Sequence, residues 1–275
     1  MKKLKKSIIL SIILGVFMLR VISFAPAKAS AVQPVSSEIV IERESGEILH
    51  GIKVDERVSI ASLTKIVTAI TAIENCPTDK KITVTKDMVG VEGSSIYLKE
   101  GEILTLKELL FGLMLRSGND AATAIAFCVA GDIISFTKMM NATAEKVGAT
   151  DSHFVNPHGL EQEGHYSTAK DLAYITAYAL KNPVFAEIVS TKTAKISDTV
   201  SGAERVLVNK NKILKTLDGA DGVKTGYTKV SGRCLVSSAT RNGVQLICVV
   251  INCGPMYERS AELINACFEK YKLVD

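Results

Sequence analysis

Three short motifs in the chain carry side chains suited to covalent catalysis. The first, Ser62-Leu63-Thr64-Lys65, falls at the predicted start of an amphipathic helix. A spacing of three on a helix places the serine oxygen and the lysine amine on one face, within contact range. The positive end of the helix dipole also favours an alkoxide at this serine. The motif therefore predicts a nucleophile with its own base, provided that burial or a second cation lowers the pKa of the lysine.

The pattern Ser-x-x-Lys is a weak signal on its own. It occurs twice more, at Ser135–Lys138 and at Ser167–Lys170. An exposed helix start explains any one of the three equally well, so the assignment depends on the other motifs.

Two further motifs occur once each. Ser117-Gly118-Asn119 lies between predicted helices, where a hydroxyl and an amide can face a cleft, although a polar turn or helix cap has the same composition. Lys224-Thr225-Gly226 precedes a predicted strand. Its lysine and threonine can bind an anion, and its glycine lets a ligand approach the strand edge closely. A simple turn is the alternative there.

The order of the three motifs is more informative than any one of them. Ser-x-x-Lys, Ser-x-Asn and Lys-Thr-Gly form the motif set of penicillin-binding proteins and β-lactamases. Only Ser62 precedes the Ser-x-Asn motif and also opens a long helix. From about Ser37 to Tyr271 the chain resembles the low-molecular-weight penicillin-binding proteins that act as serine-type D-alanyl-D-alanine carboxypeptidases. The resemblance rests on residues 61–66, 115–121, 153–160, 165–172 and 221–228.

This resemblance implies a fold and a reaction. The expected fold is α+β, of the β-lactamase/transpeptidase type, with a mainly antiparallel sheet flanked by helices and a helical subregion. The expected reaction removes the terminal D-alanine from peptidoglycan stem peptides through an acyl-enzyme on Ser62. It requires no cofactor, and β-lactam antibiotics are the expected inhibitors.

The resemblance also implies a role for each residue of the motifs. Ser62 attacks the carbonyl carbon, and Lys65 accepts its proton. Ser117 and Lys224 relay that proton to the departing D-alanine, while Asn119 holds the peptide backbone.

Four further residues are expected to bind the substrate: Thr225, Gly226, Tyr227 and Arg259. In this scheme the backbone N–H groups of Ser62 and Tyr227 form the oxyanion hole. Thr225 and Arg259 bind the free carboxylate, although a solvated helix charge is the alternative interpretation of Arg259.

Two other functions are compatible with the same fold. A β-lactamase shares the acylation chemistry, but no segment here resembles its deacylating glutamate segment. A non-catalytic cell-wall-binding protein would be expected to have lost at least one motif residue, whereas all three motifs are complete. The lifetime of a penicillin adduct distinguishes a carboxypeptidase from a β-lactamase.

The elements that position these motifs come from both ends of the chain. Runs of β-prone residues predict a hairpin at 38–51 and strands at 81–85, 191–197, 205–208, 233–239 and 245–251. Helical periodicity predicts helices at 62–74, 106–115, 121–129, 136–147, 168–180 and 257–271, with Ser167 as a helix cap. Terminal strands that enclose a helical middle predict an α+β layout in one folding unit.

The chain begins like an exported protein. Residues 1–31 contain six basic and no acidic residues, an apolar run and small residues around Ala29 and Ala31, which are the parts of a secretory signal. We expect cleavage after Ala29 or Ala31, which leaves a catalytic domain over 32–275. A retained membrane anchor is the alternative. The expected location is extracytoplasmic, in the cell wall or at the outer face of the cytoplasmic membrane.

The charge balance argues against a nucleic-acid partner. Without the six basic residues of the leader, the 33 lysines and arginines fall to 27, against 29 acidic residues. The net charge of the remaining chain is therefore −2, and no nucleic-acid binding is expected.

Histidines and cysteines do not predict a metal site. His153, His158 and His165 match no common zinc-ligand spacing, and the resemblance implies that they are structural loop residues. No Cys-x-x-Cys occurs. Several of the six cysteines lie in apolar runs, which favours free thiols, and Cys248 and Cys253 are the only pair close enough in sequence to suggest a disulfide.

Replacing Ser62 by alanine should abolish labelling by penicillin, because the variant lacks the attacking oxygen and keeps the helix start. Ser135→Ala and Ser167→Ala are the matched controls and should be labelled as the wild type is. Intact-mass spectrometry after incubation with penicillin measures the adduct. A penicilloyl adduct on Ser62→Ala would contradict the assignment.

Overall fold

The computed structural model describes residues 36–198 and 200–271. The predicted signal peptide over 1–31 lies outside these residues, so its cleavage stays a prediction. The strands are β1 (Ser37–Glu42), β2 (Ile48–Ile52), β3 (Lys81–Thr83), β4 (Ile103–Thr105), β5 (Thr193–Ser197), β6 (Glu204–Val208), β7 (Ala220–Thr228), β8 (Gly232–Arg241) and β9 (Val244–Ile251). The helices are α1 (Lys65–Asn75), α2 (Leu106–Arg116), α3 (Asn119–Ala130), α4 (Ile133–Lys146), α5 (Ala169–Leu180), α6 (Pro183–Ser190), α7 (Ile213–Thr216) and α8 (Met256–Tyr271).

The main sheet joins the two ends of the chain. Its five strands are antiparallel in the order β2-β1-β9-β8-β7. β1 and β2 form the predicted hairpin, β9 pairs with β1, and β7 is an edge strand. Two smaller antiparallel sheets, β3–β4 and β5–β6, come from the middle of the chain. The α+β layout expected from the sequence is confirmed.

The two faces of the main sheet pack against different helices. On one face, Val236 and Val249 belong to a large core shared with helices α1 to α6. On the other face, Leu235 and Val250 pack with Leu263 of α8. Because successive residues of a strand point to opposite faces, alternate residues of β7 face the helical core or α8.

Three local predictions are wrong in detail. Ser62 lies in a 3₁₀ turn, Ala61–Thr64, that leads into α1 and is not the first turn of an α-helix. Lys224-Thr225-Gly226 lies inside β7 and not before a strand, because pairing with β8 overrides the turn-like composition. The cap of α5 is Thr168, whose hydroxyl accepts a first-turn N–H, and not Ser167. The sequence patterns also miss β4, α6 and α7, which are too short for a clear period.

Among the described residues, no single helix is long and apolar enough to cross a membrane. Helices α3 and α4 reach that length and composition only as a pair, and they are bent by 87° at their junction. Most residues of α3 are buried in the core of the domain.

All six cysteines are free thiols. Cys248 is fully buried in the sheet, as its apolar context predicts. The thiols in contact are those of Cys76 and Cys128, with sulfur atoms 3.9 Å apart. These two residues are distant in sequence, so the spacing of cysteines along the chain does not reveal the pair.

A glycine in the loop before α5 allows that loop to pack on the 3₁₀ turn. Gly159 has a φ of +85°, and a Cβ there would lie 1.9 Å from the carbonyl oxygen of Ala61 and 2.8 Å from the hydroxyl oxygen of Thr64. A left-handed φ is costly for other residues, and the close approach leaves no space for a side chain. The loop therefore contacts the backbone beside Ser62 directly.

Gly159→Ala should destabilise the protein far more than Gly148→Ala does. Both glycines have a left-handed φ, +85° and +81°, but a Cβ at Gly148 would meet nothing within 4 Å. The control should lose only the backbone strain, about 1–2 kcal/mol of unfolding free energy. Gly159→Ala must also displace the turn at Ala61 and should slow penicillin labelling. Thermal unfolding measures the loss of stability, and the rate of penicillin labelling measures the displacement of the turn. Equal losses in Gly159→Ala and Gly148→Ala would show that packing of the loop against Ala61 does not support the nucleophile turn.

Candidate active site

The nucleophile lies on a strained turn beside the edge strand. Ala61, which precedes it, has a φ of +47°, a conformation that residues with a side chain rarely adopt. The Ser62 side chain is half-buried. A Cβ on Gly226 of β7 would come within 3.3 Å of Ser62 N and 3.2 Å of the Ile60 carbonyl oxygen. The glycine of the third motif therefore lets the backbone of β7 pack against the nucleophile turn.

Lys65 is completely buried, and its amine has three partners. Its Nζ lies 2.9 Å from Ser62 Oγ, 2.8 Å from Asn119 Oδ1 and 2.5 Å from the carbonyl oxygen of His158. The amide and carbonyl oxygens can only accept, so they take the two N–H groups of a neutral amine. The lone pair of the nitrogen is then left for the proton of the Ser62 hydroxyl. The predicted contact between Ser62 and Lys65 is confirmed, and its geometry suits transfer of the serine proton to lysine.

The environment of Lys65 favours the neutral amine. Burial holds the pKa of Lys65 well below its usual range, because the ammonium loses its hydration. The positive charges of Lys224 and Lys210 lower this pKa further, and the negative charge of Asp120 opposes them. The sequence analysis required burial or a second cation to lower the pKa of Lys65. The structure provides both.

The Ser-x-Asn motif forms the junction between α2 and α3. Helix α2 is capped by Ser117 with a φ of +63°, and Asn119 begins α3. Ser117 Oγ lies 3.1 Å from Lys224 Nζ, while Asn119 Oδ1 accepts from Lys65. Asn119 also donates from Nδ2 to the carbonyl oxygen of Glu92 at 2.5 Å, which defines the orientation of its amide. The left-handed backbone conformation of Ser117 thus directs the Ser117 side chain to Lys224 and the Asn119 side chain to Lys65.

Lys224 is the second buried amine of the site. It lies on the face of β7 that points to the helical core, and it is 2% exposed. Burial, with a contribution from the charge of Lys210, lowers the pKa of Lys224 to about 7. Near neutral pH the group can therefore both hold and deliver a proton, and Ser117 is the hydroxyl in contact with it.

Two residues act on the site without belonging to a motif. Lys210, in the loop after β6, donates to Ser94 Oγ at 3.3 Å, and its charge lowers the pKa of both buried lysines. His158 provides the carbonyl oxygen that accepts from Lys65, and burial lowers the pKa of its imidazole to about 4. The resemblance singled out the segment of His158. Nothing in the sequence distinguishes Lys210, because only the fold brings its loop to the site.

The remaining histidines of this loop have structural contacts. His165 Nε2 lies 2.8 Å from the hydroxyl of Thr64, next to the nucleophile turn, and burial lowers the pKa of His165 to about 3. His153 Nδ1 lies 2.7 Å from the carbonyl oxygen of Gly164. Among the described residues, no group of three histidine, cysteine or acidic side chains is arranged to hold a metal ion.

Arg259 lies away from this cluster, and its assignment to the substrate carboxylate stays a prediction. Its guanidinium donates to Glu38 of β1 at 2.6 and 2.9 Å and pairs with Glu262 at 3.0 Å. Glu38 occupies the same row of the sheet as Thr225, three strands away, which is a separation of about 14 Å. In this structure the guanidinium of Arg259 is therefore held at β1 and does not contact Thr225. Helical periodicity placed Arg259 on α8 correctly but did not show which strand it faces.

The fold and the site together define a class. A serine beside a desolvated lysine, facing an open strand edge, is the arrangement of a serine acyl-transfer enzyme with the β-lactamase/transpeptidase type of fold.

Comparison with known proteins identifies the family. The family described as D-alanyl-D-alanine carboxypeptidase matches residues 25–254. Carboxypeptidase DacF of Bacillus subtilis is 32% identical over 282 residues, which span 99% of this chain and 72% of that protein. A D-alanyl-D-alanine carboxypeptidase from Mycobacterium tuberculosis superposes with a TM-score of 0.81 at 31% identity, covering 89% of this chain and 95% of that one. The DD-transpeptidase of Streptomyces K15 has a TM-score of 0.78 at 33% identity, with coverages of 87% and 97%. The chain belongs to the D-alanyl-D-alanine carboxypeptidase family.

Lys210→Met should shift the pH profile of penicillin acylation to higher pH. Acylation requires neutral Lys65, so its rate rises with pH through the lowered pKa of Lys65. Removing the charge of Lys210 should raise the pKa values of Lys65 and Lys224. The rising part of the rate profile should therefore shift to higher pH. The second-order acylation rate measured against pH reports the pKa of Lys65 in the free enzyme.

The control for this variant is Lys215→Met, which removes an exposed lysine that is not among the groups shifting either pKa. Its profile should match the wild type. An unshifted profile for Lys210→Met would show that Lys210 does not act on the catalytic lysines.

Proposed function

We propose that the enzyme removes the terminal D-alanine from peptidoglycan stem peptides by way of an acyl-enzyme on Ser62. Membership of the D-alanyl-D-alanine carboxypeptidase family supports the assignment of the terminal D-alanyl-D-alanine bond as the bond that is cleaved. The observation that carries the proposal is the contact between Ser62 and the buried amine of Lys65. The other two acceptors around that amine, on Asn119 and His158, leave its lone pair to the serine proton.

Acylation begins with attack by Ser62 Oγ on the carbonyl carbon of the penultimate D-alanine. A carbon–oxygen bond forms while Lys65 takes the hydroxyl proton, and the carbonyl oxygen becomes an oxyanion. The proposed oxyanion hole consists of the backbone N–H groups of Ser62 and Tyr227. The close approach of Gly226 to Ser62 N supports this pairing, because it brings β7 against the nucleophile turn.

The tetrahedral intermediate then loses D-alanine. The carbon–nitrogen bond breaks, and the departing amine receives its proton from Ser117, which recovers one from Lys224 at 3.1 Å. The proton that Lys65 took from Ser62 passes to Lys224, so that both amines return to their starting protonation states. Water then attacks the acyl-enzyme, with the neutral amine of Lys65 accepting a proton from the water. The proton returns to Ser62 Oγ as the ester bond breaks, and the shortened peptide leaves with a free carboxyl group.

Asn119 serves this scheme in two ways. Its Oδ1 orients the amine of Lys65, and one N–H of its amide donates to the Glu92 carbonyl oxygen. The second N–H of the amide remains for a carbonyl oxygen of the peptide, as the resemblance implies. The peptide itself lies along the free edge of β7, where an extended segment can add as a further strand.

The proposed function also concerns the inhibitors and the location of the enzyme. We propose that β-lactams acylate Ser62, with their carboxylate in the place of the substrate carboxylate. We also propose an extracytoplasmic location, supported by the signal-like composition of residues 1–31 and by the position of peptidoglycan outside the cytoplasm.

One experiment separates this function from its two rivals. The purified protein is incubated with penicillin or with a D-alanyl-D-alanine peptide, and intact mass and free D-alanine are followed over time. A carboxypeptidase should release D-alanine with turnover and form a long-lived penicilloyl adduct. Rapid penicillin hydrolysis without D-alanine release would identify a β-lactamase. Absence of any acylation would identify a non-catalytic binding protein.

A further inference from the structure

Two thiols meet where helices α1 and α3 end. Cys76 follows the last residue of α1, and Cys128 lies in the last turn of α3. Their sulfur atoms are 3.9 Å apart, and one thiol can donate to the other. Among the described residues, which include all six cysteines of the chain, no other two thiols share a hydrogen bond. This pair is therefore the one prepared for a reaction between thiols.

The same two helices carry residues of the active site at their other ends. Lys65 begins α1 and Asn119 begins α3, and the Lys65 amine lies 2.8 Å from Asn119 Oδ1. The helices thus contact each other through a hydrogen bond at the active site and through the thiols about 15 Å further along. A covalent bond between the thiols would fix the second contact and hold α1 against α3.

The surroundings of the thiols permit this bond. Lys80, in the loop after α1, donates from Nζ to the carbonyl oxygen of Cys128 at 2.9 Å and so holds the segment after Cys76 on the end of α3. A disulfide brings its sulfur atoms to about 2 Å, so the thiols must approach by roughly a further 2 Å. Because Cys76 lies outside α1 in an extended conformation, it can supply part of this movement without disturbing the helix.

The two thiols differ in their access to solvent. Cys76 is buried, whereas Cys128 is half-buried and can meet a reagent from solution. Cys128 is therefore the thiol that reacts first, and Cys76 is the thiol that completes the bond. The expected location outside the cytoplasm is an environment in which disulfides form and persist.

We propose that Cys76 and Cys128 form an intramolecular disulfide when the folded protein meets a disulfide oxidant, and that this bond stabilises the packing of α1 on α3. The Cys128 thiolate attacks the oxidant, so that a mixed disulfide forms on Cys128 and one thiolate of the oxidant leaves. The Cys76 thiolate then attacks Cys128 Sγ, and the second thiolate of the oxidant leaves. The cysteines lose two protons and two electrons in total, and the oxidant is reduced to two thiols.

The first step should be slow at neutral pH. Burial and the neighbouring Cys76 thiol raise the pKa of Cys128 to about 11, while the positive charge of Lys80 opposes this shift. Because the thiolate is the attacking form, the rate of oxidation should rise as the pH approaches that value. The reaction is therefore tested at alkaline pH.

The test treats the purified protein with glutathione disulfide, blocks the remaining thiols and maps the linked peptides by mass spectrometry. The wild type should contain a peptide pair that joins Cys76 to Cys128. Cys76→Ser should stop at a glutathione adduct on Cys128, because the thiol of the second step is missing. Cys253→Ser is the matched control, since it removes a half-buried thiol between β9 and α8, and it should still form the bond.

The stabilising role is tested by thermal unfolding of the oxidised and the reduced protein. Oxidation should raise the Tm of the wild type and of Cys253→Ser by about 5–15 °C, and dithiothreitol should reverse the rise. In Cys76→Ser and Cys128→Ser the Tm should not rise on oxidation. The rate of penicillin labelling at 25 °C should be the same in the oxidised and the reduced wild type, because the bond lies away from the reacting groups.

Three results would overturn the proposal. Both thiols could remain unmodified, the glutathione adduct on Cys128 could persist in the wild type, or the peptide map could show Cys76 or Cys128 joined to another cysteine. A disulfide that forms without a rise in Tm would overturn the stabilising role. The proposal goes beyond the carboxypeptidase function and is independent of it, since none of these measurements uses a peptide substrate.

Discussion

The burial of the Lys65 amine is the constraint on which the rest of the site depends. An ammonium at this position would lose its hydration at a cost of several kcal/mol, so the neutral amine is favoured. A neutral amine can accept one proton, and two obligate acceptors leave that position for Ser62. Those acceptors come from α3 and from the loop before α5. The predicted base therefore forms only when three separate segments have packed around it.

The packing is possible because backbones approach one another without side chains between them. Gly159 lies against the carbonyl of Ala61, and Gly226 lies against the backbone of Ser62. Two residues with side chains, Ala61 and Ser117, adopt a left-handed φ beside these contacts. Strain of this kind persists where the surroundings enforce it, and here the large helical core surrounds both turns. Strain and close packing together place the hydroxyl groups of Ser62 and Ser117 within hydrogen-bond distance of Lys65 and Lys224.

The two faces of the edge strand β7 carry different residues of the predicted site. Lys224 and Gly226 lie on the face toward the helical core, where they meet Ser117 and the nucleophile turn. Thr225 and Tyr227 lie on the face toward α8. The two-residue period of a strand accounts for this division. The residues of the predicted reaction chemistry and those of the predicted carboxylate site therefore lie on opposite faces of β7.

The sequence by itself determined the α+β layout, the three motifs and the contact between Ser62 and Lys65, because these follow from periodicity and from spacings of a few residues. It also placed Arg259 on the closing helix. Only the tertiary structure decided that Arg259 pairs with Glu38 and that Cys76 contacts Cys128. It alone brought Lys210 to the catalytic lysines. The strand that a helical side chain faces depends on the register of the sheet, and the shift of a pKa depends on burial. Residues that are distant in sequence create both, so the local spacing of residues does not predict them.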